Sequence, residues 1–274
     1  MFVMISQMKQ FFLSSWRAGF RGRSFYGVFL LGVVLVGVAY LAASFSPRQP
    51  QTVALDVGFS GLRLSLSLFA IVLVQELVGR EIDRRTVVLT LAYPASRSTY
   101  VCGRYLGVLA LVAIASIVLG MLLSIAVLVA SPGYEQQFPV LMGWPYWIAV
   151  AGIWLDVAVV AAFTLWISTL STVVLLPLAL GIVFAIASRA LGVVFDYVSR
   201  GADGQDALVA RTGPIVDVAR WLVPDLSRLD WRIWSMYGSA PDPDAMTLGV
   251  VAALSYSGVM VGLAVLAFSR REFS

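Results

Sequence analysis

Six stretches of this chain are long and apolar enough to cross a bilayer, and that decides what it can fold into. A spanning helix needs about 20 mostly apolar residues. The runs that qualify lie at 25–45, 57–78, 101–130, 147–167, 172–195 and 248–268. Any one of them alone could be a buried helix of a soluble protein, but six in succession make that reading untenable. Charged residues make up 12% of the chain, against about 25% in a soluble domain. A segment in lipid must satisfy its own backbone polar groups. The expected fold is therefore an all-α integral membrane protein of six transmembrane helices, a single transmembrane domain over residues 1–274.

Several chemistries are excluded by counting. The chain has no His, so His-based triads, His-ligated zinc and His proton relays are absent. Cys102 is the only cysteine, so neither an internal disulfide nor a thiolate cluster can form. Lys9 is the only lysine and sits in Gln7-Met8-Lys9-Gln10, with none of the glycines a P-loop requires. Any ATP-driven work must draw on another subunit, and no nucleic-acid motif is present.

Orientation follows from Arg and Lys in the short loops. Lys9, Arg17, Arg21 and Arg23 precede the first span. Arg80, Arg84, Arg85 and Arg97 lie between the second and third, and Arg270 and Arg271 follow the sixth. With six spans these fall on one side, so both termini are expected in the cytoplasm and the chain in the cytoplasmic (inner) membrane. Leu41-Ala42-Ala43-Ser44 is a poor cleavage site after a long first span, and no signal peptide is expected. Within residues 1–23, Ile5, Met8, Phe12 and Trp16 recur at helical spacing, which predicts an interfacial helix. Pro177 is expected to kink the fifth span, and Gly258-x-x-x-Gly262 to pack against a neighbouring helix.

The stretch from Glu81 to Arg97 carries the most information. A charged turn, Glu81-Ile82-Asp83-Arg84-Arg85, leads into an apolar run too short to span, and Pro94 breaks it. The pattern predicts a short helix at the cytoplasmic face. Glu81, Thr86, Leu89, Leu91, Pro94, Ser96, Arg97, Gly103 and Arg104 fall in an order that resembles the first cytoplasmic loop of ABC-2 type transporter permeases. Arg85 stands where that family usually has Gly, and Arg104 where it usually has Lys. The resemblance implies a P-loop ATPase subunit docked below, with ATP and Mg bound there and no cofactor bound by this chain. It also implies a second permease copy or a paralogue beside it. Glu81 to Tyr93 would be the main coupling helix, with Glu81, Asp83, Arg84 and Arg85 making charged contacts and Val87, Val88 and Leu91 apolar ones. Ser168 and Thr169 would open a smaller second contact. Export is the direction the resemblance favours.

Polar residues inside the spans are the remaining candidates. Asp156 lies about 14 Å along the fourth run, near mid-membrane, where a carboxylate is costly. It is either a substrate-path or proton-linked residue or a structural partner for an Arg. Arg63 and Arg189, nearer the outer ends of their spans, either snorkel or pair with it. The long segment 196–245 should face outward, and its Trp221, Trp231 and Trp234 suit an outer headgroup region. They serve an outer gate, a dock for an extracytoplasmic protein, or simple anchoring in the lipid bilayer. Two functions of other classes stay open: an ion-gradient-driven transporter using Asp156, and a membrane anchor or assembly factor.

Overall fold

A computed structural model describes residues 10–16, 19, 22–46, 48–79, 81, 96–130, 139–173, 175–199 and 224–270. Among them every regular element is helical. After a helical stretch at 10–16 come α1 (Arg23–Ser44), α2 (Pro50–Val74, continued by a π-turn over Gln75–Gly79), α3 (Arg97–Val129), α4 (Trp144–Leu170) and α5 (Leu176–Ser199). A 3₁₀ turn (Leu226–Leu229), the short α6 (Arg232–Tyr237) and α7 (Pro243–Arg270) complete the order. Tyr26–Ser44, Pro50–Gly79, Arg97–Val129, Trp144–Leu170 and Pro243–Arg270 are long and apolar enough to cross a membrane. The chain is an all-α membrane protein. α5 has 24 residues, about 36 Å of helix at 1.5 Å per residue, and its apolar part among the described residues is the shorter stretch Leu176–Gly192.

The helix ends follow from local chemistry. Pro50 and Pro243 are first residues and Pro145 and Pro177 second residues of their helices, positions whose N–H would lack an intrahelical partner in any case. Pro177 therefore starts α5 and does not kink it. α3 begins at Arg97, ahead of the apolar run, because the Ser96 hydroxyl accepts the Thr99 N–H at 3.2 Å and caps it. α6 stops at Gly238, whose φ of 73° is left-handed.

α2 and α4 form the middle of the bundle and are mostly buried, whereas α1 and α7 are mostly exposed. α1 lies along α2, α2 packs on α3 and α4, and α4 packs on α5 and α7. Phe59 of α2 meets Tyr146 of α4 at 5.4 Å between ring centres, and Leu55, Leu62, Leu66, Leu111, Leu119 and Leu123 are fully buried around them. Two aromatic polar groups tie α4 to the backbone of α3. The Tyr146 hydroxyl donates to Gly120 O at 2.5 Å and the Trp154 indole to Leu109 O at 3.1 Å.

The bundle has two ends. Residues 10–16, Glu81, the start of α3 and the end of α7 meet at one, here the basal end. The stretch 224–237 lies at the other, the distal end. It does not rest on top of the helices. A Cβ on Gly152 would stand 2.5 Å from Leu229 O, and one on Gly192 would collide with the Ser227 hydroxyl. These glycines lie about 10–12 Å inside the distal ends of α4 and α5, so the stretch dips into the bundle where the missing side chains let its backbone approach. At Gly258 and Gly262 the opposite holds. A Cβ at either would meet nothing within 4 Å, so this pair makes no close helix contact among the described residues.

Candidate functional site

The distal half of the bundle is organised by one face of α2. Asp56, Ser60, Arg63 and Ser67 are spaced four, three and four residues apart, which stacks them on one side of a helix. Each finds partners on another element. At the open end Arg232 of α6 donates to Asp56 at 2.8 Å and to Ser60 at 3.2 Å. It also pairs with Asp230 at 3.0 Å. Asp230 accepts from Arg63 at 2.9 Å, and the Arg63 Nε lies 3.3 Å from Asp156. Arg189 of α5 then donates to both Asp156 oxygens at 3.0 Å and to the Ser67 hydroxyl at 2.8 Å.

The result is a ladder of three carboxylates and three guanidiniums running from the distal surface to mid-bundle. The Asp56 side chain is 54% exposed at one end and that of Asp156 is 0% exposed at the other. Formal charge along it balances, which is what makes a buried row of this kind tolerable. Arg63 and Arg189, expected either to snorkel or to pair, both pair with Asp156. Burial works to raise the Asp230 carboxyl. The Arg63 hydrogen bond with the charges of Arg63 and Arg232 outweighs it and holds the group below the ordinary carboxylate range. Trp231, placed by composition among the headgroups, is buried against Gly152 of α4. Trp234 is half-buried on α6, and Trp221 lies outside the described residues.

A second constellation occupies the basal end. Glu81 accepts from the Tyr100 hydroxyl at 2.6 Å and from Arg104, both on α3. Arg104, which is buried, also donates to Ser15 at 3.0 Å and to Ser14 at 3.3 Å on the amino-terminal helical stretch. Tyr100 stacks on Phe268 of α7 at 5.3 Å and meets Phe11 in a T-shaped contact at 5.5 Å. Arg97 donates to Phe268 O at 3.0 Å and Ser269 O at 2.9 Å. Gly107 is close enough to the amino-terminal stretch that a Cβ there would stand 2.5 Å from the Ser15 Cβ. One polar knot thus joins four parts of the chain: residues 11–15, Glu81, the first turns of α3 and the last turn of α7.

Of the expected coupling residues, Glu81 is in this knot. Asp83, Arg84, Arg85, Val87, Val88 and Leu91 lie outside the described residues. Ser168 and Thr169 are buried at the basal end of α4, their hydroxyls donating to Thr164 O and Trp166 O of their own helix. The surface of that turn is made by Leu170, Thr172 and Val173.

Asp230, Asp56, Ser60 and Ser67 were not singled out from sequence. The stripe on α2 was a readable signal for the last three, but Asp230 lies 167 residues from its Arg63 partner and nothing local marks it.

A bundle of long apolar helices, with an ion-paired interior and a polar knot at one end, defines a multi-pass membrane protein. Over residues 14–272 the chain matches the ABC-2 family transporter protein. That is nearly its whole length, and the chain belongs to this family. It is a transmembrane permease of the ABC transporter type, a transport subunit and not itself a catalytic enzyme, and its family implies association with an ABC ATPase subunit. No curated protein matches the chain.

Proposed function

We propose that this permease couples ATP hydrolysis in a separate ATPase subunit to export across the cytoplasmic membrane. It would cross six times with both termini inside and work beside a second copy or a paralogue. The basal end is then cytoplasmic. Residues Glu81 to Tyr93 form the coupling helix on the ATPase, and the turn Leu170–Val173 makes the smaller contact. ATP and Mg are held by that partner. The observation that supports this reading is the basal knot. Glu81, the first residue of the coupling segment, is tied through Arg104 and Tyr100 to α3, to residues 11–15 and to α7. A displacement of that segment would reach several helices as a rigid-body shift. Reversing Arg84 and Arg85 together to Glu, or Leu91→Asp, should leave the protein folded and correctly oriented while lowering ATPase co-purification and transport. Normal ATPase recovery with both variants, in correctly oriented protein, overturns the assignment.

The rival reading, an ion-gradient-driven transporter using Asp156, needs that carboxylate to meet a water-filled path. Its side chain has no exposed surface, and both oxygens are occupied by guanidinium groups. This favours the structural role for Asp156. The ladder holds the distal stretch 224–237 against α2, α4 and α5, which suits a closed outer gate that must part for export.

A further inference from the structure

A cleft of about 380 Å³ opens on the side of the bundle between α3, α4 and α7. Its wall is apolar, with Leu109, Trp154 and Leu254 among its lining residues. Gly258 forms part of it, and a side chain there would project into open space. Two polar groups at its edge are engaged within the bundle: the Tyr105 hydroxyl donates to Ala158 O at 3.1 Å and the Trp154 indole to Leu109 O at 3.1 Å. Leu106 and Leu254 are 42% and 58% exposed, so the cleft is continuous with the lipid-facing surface.

We infer that this cleft holds one acyl chain of an anionic phospholipid, its headgroup at the basal end beside Arg97 and Arg270. Two observations select that occupant. A polar solute would meet a wall that is almost wholly apolar and would lose its own hydrogen bonds to water. The basal end of the α3–α7 seam is basic. Arg97 bridges the seam to Phe268 O and Ser269 O, and Arg270 follows on α7 with an exposed side chain. Lipid tails gain nothing by leaving other tails, so selectivity must come from the headgroup, and Arg attracts anionic headgroups. The inference is independent of ATPase coupling and of transport direction.

The test is photolabelling of the intact protein in nanodiscs with trace phosphatidylglycerol or phosphatidylcholine bearing a diazirine on the acyl chain, mapped by mass spectrometry. Adducts should concentrate on the peptides of the cleft, Cys102–Leu109 and Ala253–Val261. The phosphatidylglycerol probe should label there about fivefold more than the phosphatidylcholine probe. Gly258→Trp should remove the cleft adducts and leave those near the lipid-exposed Leu30 and Val34 unchanged, which also shows that the variant has folded. Should Gly258→Trp lower labelling everywhere, Arg270→Gln decides: it leaves the cleft intact and should bring the two probes close to equality. Equal labelling by both headgroups in the unmodified protein, or cleft labelling no denser than at Leu30 and Val34, overturns the site. So does efficient oxidative dimerisation through Cys102, which would show a second copy seated there.

Discussion

Arg189 on α5 grips Asp156 on α4 with two hydrogen bonds of 3.0 Å, and the same guanidinium reaches Ser67 on α2 at 2.8 Å. One side chain thereby locks three helices at mid-bundle. Removing one member of a buried pair strands the other and costs about 3–5 kcal/mol, while replacing both by apolar groups can be close to neutral. Arg189→Met should therefore lower the thermal unfolding temperature sharply, and Asp156→Leu likewise. The double variant should lose clearly less than the sum, although Arg63 would still seek a partner. Thermal unfolding of the purified protein in one detergent for all three variants checks this. Additive losses would mean that the two residues do not act as a pair.

Gly152 and Gly192 admit the distal stretch into the bundle. With Gly152→Val the new side chain starts at a Cβ already 2.5 Å from Leu229 O, so the stretch must lift. Overpacking of this kind costs about 1–3 kcal/mol. The expected signature is local: faster protease cleavage between Pro224 and Tyr237, with the helices staying protected. Gly258→Val, which meets open space, is the control and should leave cleavage unchanged.

Asp230 supplies a pH dependence with a definite sign. Its folded carboxyl is held below the ordinary range, burial being outweighed by Arg63 and Arg232. The unfolded group titrates near about 3.9. A depressed carboxylate contributes stability that is fully present above the unfolded value and lost as pH falls through the folded one. This rung should thus be unaffected between about pH 8 and pH 5 and weaken only below about pH 4. Asp230→Asn should lower the unfolding temperature near neutrality and flatten the acid limb of its pH profile. An unchanged acid limb would show that Asp230 is not the group titrating there.

What sequence could and could not supply divides along physical lines. The helices were legible because lipid imposes a minimum apolar length, so even Asp156 could be given a depth. Its pairing with Arg63 or Arg189 was an open alternative, since depth alone does not decide whether a long side chain turns inward or snorkels. Asp230 was hidden because its role depends on where a segment returns in space, which no periodicity reports. Pro177 was misjudged because an apolar run does not show where a helix starts. Ser168 and Thr169 looked like a surface turn, yet one more turn of α4 buries them. The pair Gly258 and Gly262 has the spacing of a packing motif, yet a Cβ at either meets nothing within 4 Å among the described residues, because spacing places two residues on one side of a helix without saying what lies opposite.

The basal knot yields the sharpest remaining expectation, because Arg104 serves three partners at once. Its side chain is 5% exposed and that of Glu81 27%. Ser14 and Ser15 accept from its Nη1. The planar fork of a guanidinium can address a carboxylate and two hydroxyls together, whereas an ammonium is a point charge on a flexible stem. Arg104→Lys keeps the charge but not the fork. Here the three-way contact should break. Arg104→Lys should lower stability by about 1–3 kcal/mol, the cost of a charged hydrogen-bonding group left partly unmatched. Arg104→Ala should lower it further by leaving Glu81 without its cation. Combining each with Glu81→Gln separates the pair from the serines. If the ion pair dominates, Glu81→Gln removes most of the added cost of Arg104→Ala. If the serines dominate, the costs add, and Ser15→Ala alone reproduces most of the Arg104→Lys loss. Unfolding temperatures of these variants decide between the two. A neutral Arg104→Lys would show that charge alone, and not the fork, holds the amino-terminal stretch to α3.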